Sequence, residues 1–137
     1  GHTTACAAAL SVQRIVLREG LLARVQSRGE ALRAELGGTL ARFEEVGDVR
    51  GRGYLIGIEF VRDRATREPL PPERAFSQAL GKRAFADGLI IYPCAGHVGG
   101  TAGDTVIVAP PYNATDAELA ELIEKLARAV ERTLARG

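Results

Sequence analysis

Apart from its carboxylates and hydroxyls, few side chains in this 137-residue chain can act as a nucleophile, an acid-base group or a metal ligand. They are the lysines Lys82 and Lys125, the histidines His2 and His97, and the cysteines Cys6 and Cys94. Both lysines lie in stretches of helical spacing among charged neighbours, which keeps an ammonium hydrated rather than desolvated and nucleophilic. His97 adjoins no Ser, Cys, Asp or second His that would make a triad or a metal site, so by itself it is a loop histidine. Cys6 falls in an alanine-rich stretch and Cys94 in a loop; neither a disulfide framework nor metal-ligand spacing is visible, and both read as reduced thiols. The run Gly96-His97-Val98-Gly99-Gly100-Thr101 has the glycine content of a phosphate cradle but lacks the Gly-Lys-Ser or Gly-Lys-Thr ending of a P-loop. Gly47, Gly51 and Gly53 do not follow a strand and open a helix, as a dinucleotide fingerprint requires.

These groups must be positioned by the elements the pattern predicts. From Tyr54 the side chains alternate, so a strand puts Tyr54, Ile56, Ile58 and Phe60 on a core face and Leu55, Gly57, Glu59 and Val61 on the other. Gly57 in mid-strand suggests close approach of another backbone or a helix on the second face. Gly47, Gly51 and Gly53 punctuate the turn before this strand, where Asp48, Arg50 and Arg52 read as solvated loop charges.

Two helices precede it. Thr4 to Arg18 has Thr3 or Thr4 available as N-cap and a broad face of small apolar residues, from Ala5 to Val16. Leu21 to Leu36 carries Leu22, Val25, Gly29, Leu32 and Leu36 at steps of three and four, with Arg24, Arg28, Glu30, Arg33 and Glu35 as a solvated face, and Gly37-Gly38 closing it. After a proline-rich connection, a third helix runs from about Pro72 to Ala86 and ends at Asp87-Gly88. Leu89–Tyr92 and Thr105–Ala109 read as short strands, and the glycine-rich loop between them is long for a mere connection. Thr115-Asp116-Ala117-Glu118 is a capping box, and Leu119, Leu122, Ile123, Leu126, Val130 and Leu134 form one apolar stripe behind it. The fold class is therefore an α/β (α+β) sandwich: two N-terminal helices, then a small, mainly antiparallel sheet of three or four strands with two helices packed on one face.

Gly47-Asp48-Val49-Arg50-Gly51-Arg52-Gly53 followed by Gly57-Ile58-Glu59-Phe60 resembles the start of the C-terminal small domain of class III aminotransferases, pyridoxal-phosphate enzymes of fold type I. Ala5-Cys6-Ala7-Ala8-Ala9-Leu10, then Gly88 to Pro93, then Gly103-Asp104 leading to Ala109-Pro110-Pro111 occur in the order that family uses and span nearly the whole chain. The resemblance implies one C-terminal small domain over 1–137 of a longer polypeptide, with helix 4–18 packing on its large domain. It implies amino-group transfer between an amine or amino acid and an oxo acid, with pyridoxal 5'-phosphate as cofactor and a homodimer with sites at the subunit interface. The Schiff-base lysine and the acid on the pyridinium nitrogen lie upstream in that family, so no catalytic residue is assigned here and this segment alone is expected to be inactive. The family also carries a Gly-His-Thr whose threonine joins the cofactor phosphate site, and a second Gly-His directly before the Ala-Cys-Ala-Ala-Ala helix. Only Thr3 and Thr4 separate His2 from Ala5, so Gly1-His2 matches the second; Thr3 is a helix cap by default and a cofactor-phosphate contact in the other alignment.

The resemblance also puts the loop from Cys94 to Gly103 at the rim of the substrate pocket, before a Pro-Pro turn that faces the active site. Many members carry an arginine in or just after it to grip a substrate carboxylate. No Arg or Lys occurs between Pro93 and Asn113, and Gly100 or Val106 stands where one is expected. His97, Gly100 and Thr101 are the substrate-binding candidates, with His97 and Thr101 able to donate a hydrogen bond.

Composition fits this reading. The hydrophobic share of 46% and charged share of 26% are those of an ordinary soluble domain. A net charge of +1 gives no electrostatic reason to propose nucleic acid or an anionic membrane as partner. No apolar run approaches the roughly 18 residues that span a bilayer, and no secretory leader is seen, so a soluble, cytoplasmic protein is expected. A different class of answer is a free-standing α/β module that binds a small ligand or a protein without catalysis.

Overall fold

The computed structural model describes residues 1–135. In chain order they form α1 (Thr3–Arg18), α2 (Leu21–Leu40), β1 (Val46–Arg52), β2 (Leu55–Asp63), β3 (Glu68–Pro69), α3 (Phe76–Ala86), β4 (Tyr92–Val98), β5 (Ala102–Val108) and α4 (Asp116–Leu134). The sheet is antiparallel with order β1-β2-β5-β4, and β3 pairs with the end of β2. The predicted sandwich is present, with five strands rather than three or four. Three helices rather than two supply its core: Leu32, Leu36 and Leu40 of α2, Leu80 and Ala84 of α3, and Leu119, Leu126 and Val130 of α4 join Ile56, Ile58, Phe60, Val106 and Val108 of the sheet.

The residues expected to form a turn before the central strand are themselves a strand. β1 pairs with β2 from Val46↔Phe60 to Arg52↔Leu55, so Asp48, Arg50 and Arg52 stand on a strand rather than a loop. The glycines make that pairing possible. A Cβ at Gly51 would overlap the Leu55 carbonyl, and Gly53 turns the hairpin at φ 57°. Tyr54 in the turn and Ile56, Ile58 and Phe60 on β2 are buried, as the alternation predicts. Gly57 is not a site of close approach: a Cβ there would meet the Thr105 methyl at 3.8 Å, an ordinary contact. The close approach is at Gly29 on α2, where a Cβ would overlap the Gly53 backbone.

α2 does not stop at Gly37-Gly38 but runs through them to Leu40. Leu36 and Leu40 are fully buried. Burying a leucine contributes about 1.5–3 kcal/mol, against about 1 kcal/mol for a glycine in a helix, so tertiary packing extends the helix past its weak point. Leu21, not Leu22, faces the core. The α2 charges are also more than a solvated face. Arg24 donates to the Ala114 carbonyl at 2.8 Å, and Arg28 bridges Asp116 at 2.9 Å and Glu35 at 3.0 Å, tying α2 to the start of α4.

α1 is capped by His2 rather than by Thr3 or Thr4: its Nδ1 accepts the Ala5 N–H at 3.4 Å, and both threonines are already helical. None of its residues is buried, and Leu10, Val12, Ile15 and Leu17 are exposed. α3 begins at Phe76, after a short 3-10 turn at Pro72–Arg74, because the buried Asp104 on β5 accepts the Ser77 N–H at 2.7 Å and fixes the helix start. The capping box of α4 is as predicted: Thr115 and Glu118 bond each other's backbone N–H groups at 2.7 and 3.2 Å. No helix among the described residues is long and apolar enough to cross a membrane.

Candidate functional site

The segment expected to be a long glycine-rich loop is a β-hairpin. Leu89–Ile91 lie outside the strands, β4 runs from Tyr92 to Val98, and only Gly99–Thr101 separate it from β5. Cys94 is therefore a strand residue. Gly99 and Gly100 take positive φ of 61° and 79°, the left-handed conformations that a tight turn uses and glycine adopts without a steric penalty. Sequence alternation missed β4 because Gly96 interrupts the apolar pattern on which a strand is recognised, and the turn glycines Gly99 and Gly100 follow directly.

The register within the hairpin shifts once. Ala95 pairs with Asp104 and Val98 with Ala102, so Gly96 and His97 together oppose the single residue Gly103. This is a β-bulge, with Gly96 at φ 81° and Gly103 at φ 94°. His97 Nε2 shares a hydrogen bond of 3.3 Å with the Thr105 hydroxyl. Gly100 and Thr101 sit at the exposed tip. A Cβ at Gly100 would meet nothing within 4 Å, and the Thr101 N–H donates to the Val98 carbonyl at 3.3 Å. Thus the three candidates share one hairpin, but only His97 is held by side-chain neighbours. Thr3 is on α1, away from any buried site. Val106, the second expected arginine position, is fully buried between Ile58 and Pro93 on the helix-covered face, where an arginine would be costly.

On the uncovered face of the sheet, Arg50 pairs with Glu59 and Asp48. The hydrogen bonds to Glu59 first and Asp48 second raise its pKa above the ordinary arginine value, so its charge is permanent and already matched. Lys82 is exposed on α3. Lys125 pairs with Glu121 at 2.8 Å at the edge of a cleft of about 370 Å³, lined by Ile90, Pro110, Pro111 and Leu122. Pro110 and Pro111 of the Pro-Pro turn form one wall of this cleft. No group of three or more His, Cys, Asp or Glu among the described residues is arranged to hold a metal. The buried carboxylate Asp104 is committed to the start of α3. With one lysine solvated, the other ion-paired and Asp104 so committed, these residues do not fit pyridoxal phosphate by themselves.

Sequence reasoning missed Asp104, Gly103 and Thr105. The first two lie within the Gly103-Asp104 motif, but their partners, Ser77 and His97, are identified only by strand pairing and packing.

The class-III aminotransferase family model matches residues 1–130. An uncharacterised aminotransferase of Schizosaccharomyces pombe is 40% identical over 134 residues, covering 98% of this chain and 29% of its own length. A taurine–pyruvate aminotransferase of Rhodobacter capsulatus is 36% identical, covering 98% of this chain and 29% of its own length. Among solved structures, an (S)-enantioselective omega-transaminase of Thermomicrobium roseum superposes with a TM-score of 0.86 at 35% identity, over 98% of this chain and 28% of that one. An aminotransferase of Vibrio fluvialis in its PMP-bound form gives 0.82 at 27% identity, over 95% and 27%. The chain thus spans about three tenths of the length of the relatives it matches, and over that span it belongs to the class-III aminotransferases.

Proposed function

We propose that the complete protein is a pyridoxal-phosphate-dependent transaminase that moves an amino group between an amine or amino acid and an oxo acid, as a cytoplasmic homodimer. Residues 1–137 are its C-terminal small domain. The observation that carries this reading is the match across residues 1–130 to the class-III family. The bare α1 supports the domain assignment: its exposed apolar side chains have the character of a helix that packs on the large domain. Pyridoxal phosphate supplies the electron sink on which amino-group transfer depends. Its attachment and the pyridinium-binding acid are assigned to the remainder of the protein, since Lys82 and Lys125 are solvated or ion-paired. The role of this chain is at the rim of the substrate pocket, through His97 and, at the hairpin tip, Gly100 and Thr101. Thr3 has no part in the phosphate site in this reading.

The test is to mix the 137-residue chain and, separately, the complete protein with pyridoxal phosphate, amino donors and oxo acids. Only the complete protein is expected to trap the cofactor on one lysine with borohydride and to transfer amino groups. Stoichiometric trapping and turnover by the short chain would contradict the domain assignment. Absence of transfer by the complete protein across amine and amino-acid donors would contradict the activity.

A further inference from the structure

We infer that Gly103 and Thr105 are positioning residues, a seat built to hold the His97 imidazole on the uncovered face of the sheet so that its Nδ1 engages the distal polar group of the amino donor. This deepens the proposed function and rests on it.

The register shows that the orientation is constructed. Before the bulge, Tyr92 and Cys94 pair with Ile107 and Thr105, which belong to the face the helices leave open, and Ala95 pairs with Asp104 on the covered side. With a period of two, Gly96 would return to the open face and His97 would point toward the helices. The extra residue reverses this. His97 bonds to Thr105, an open-face residue, so the bulge has re-aimed the ring, a use of bulges common beside active sites. The ring then needs space, and Gly103 supplies it: a Cβ there would stand 2.7 Å from Nε2 and 3.0 Å from Cε1. The Thr105 hydroxyl fixes the Nε2 end at 3.3 Å, while its methyl rests above Gly57. Nδ1 makes no hydrogen bond among the described residues, and His97 is exposed. One nitrogen is therefore occupied by the seat while Nδ1 carries no bond of its own, and because the Thr105 hydroxyl can donate or accept, Nδ1 can meet an acceptor or a donor on the substrate. The hairpin carries no arginine or lysine for a bidentate carboxylate grip, so a single oriented imidazole nitrogen suits donors with one hydrogen-bonding group beyond the amine.

In the complete protein, kcat/KM is compared for a donor with one hydroxyl beyond the amine and for an apolar amine of similar size. His97→Ala and Thr105→Val are each expected to lower the value for the polar donor by about three- to tenfold, chiefly through KM, and to leave the apolar amine within about twofold. Thr105→Ser should retain wild-type preference. The double variant should be no worse than His97→Ala, because the seat acts only through the ring. The imidazole 15N resonances of His97 should shift in Thr105→Val and not in Thr105→Ser. Equal loss on both donors in Thr105→Val, additive losses in the double variant, or an unchanged imidazole spectrum would overturn the seat and leave the aminotransferase reading standing. A wild-type protein that moves no amino group overturns that reading, and this inference with it.

Discussion

Glycine has opposite consequences at different positions of α2, and space alone separates them. Gly37 and Gly38 meet nothing within 4 Å of an added Cβ, whereas at Gly29 it would overlap the Gly53 backbone. Gly37→Ala and Gly38→Ala should each raise stability by about 0.5–1 kcal/mol through helix propensity, and Gly29→Ala should lower it by about 1–3 kcal/mol because backbone cannot yield as a side chain does. Urea denaturation of the three variants checks the signs. Glu118 gives a second expectation at this scale. The Thr115 N–H, then the Thr115 hydroxyl, bond its carboxylate and hold it below the usual glutamate range. A depressed folded-state pKa stabilises fully above the unfolded value of about 4.3 and is lost as pH falls through the lower folded value. Glu118→Gln should therefore flatten the acid limb of stability against pH and leave its slope unchanged near neutrality, as denaturation midpoints across the acid range would show.

Among the elements, α1 and α3 differ in what holds them. α1 buries none of its residues, so its amides are protected only by local helix hydrogen bonds. In the 137-residue chain, Thr3–Arg18 should exchange hydrogen far faster than Leu55–Asp63, which lies between two paired strands. Protection equal to that of β2 in a monomer would contradict an unpartnered α1. α3 is pinned from outside by Asp104, whose carboxylate takes the Ser77 N–H. Asp104→Ala leaves that N–H without its partner in a buried setting and should cost about 1–3 kcal/mol, with a smaller loss for Asp104→Asn, which keeps an acceptor oxygen. Thermal melts of the two variants distinguish a cap from a mere core position.

For the whole molecule, the division follows the range over which each signal acts. The capping box at Thr115 and Glu118, the alternation from Tyr54 to Phe60 and the stripe from Leu119 to Val130 were legible because partners three or four residues apart, or two apart on a strand, fix those elements locally. The ordered motifs from Ala5 to Pro111 carried the family for the same reason: they are properties of the chain as written. Other features depended on residues remote in sequence. β1 is a strand because β2 lies beside it; Gly37-Gly38 stay helical because Leu40 finds a core; His97 reaches the open face because Gly103 and Thr105 stand opposite a bulge. Glycine's wide conformational freedom makes it the residue whose role is least determined by its neighbours in sequence. By itself the sequence determined the core-facing residues of β2 and α4, the sandwich class and the family. Tertiary structure alone decided where the glycine-rich segments become strands and which way the one hairpin histidine points, since pairing register and burial are energies of distant contacts that no local pattern encodes.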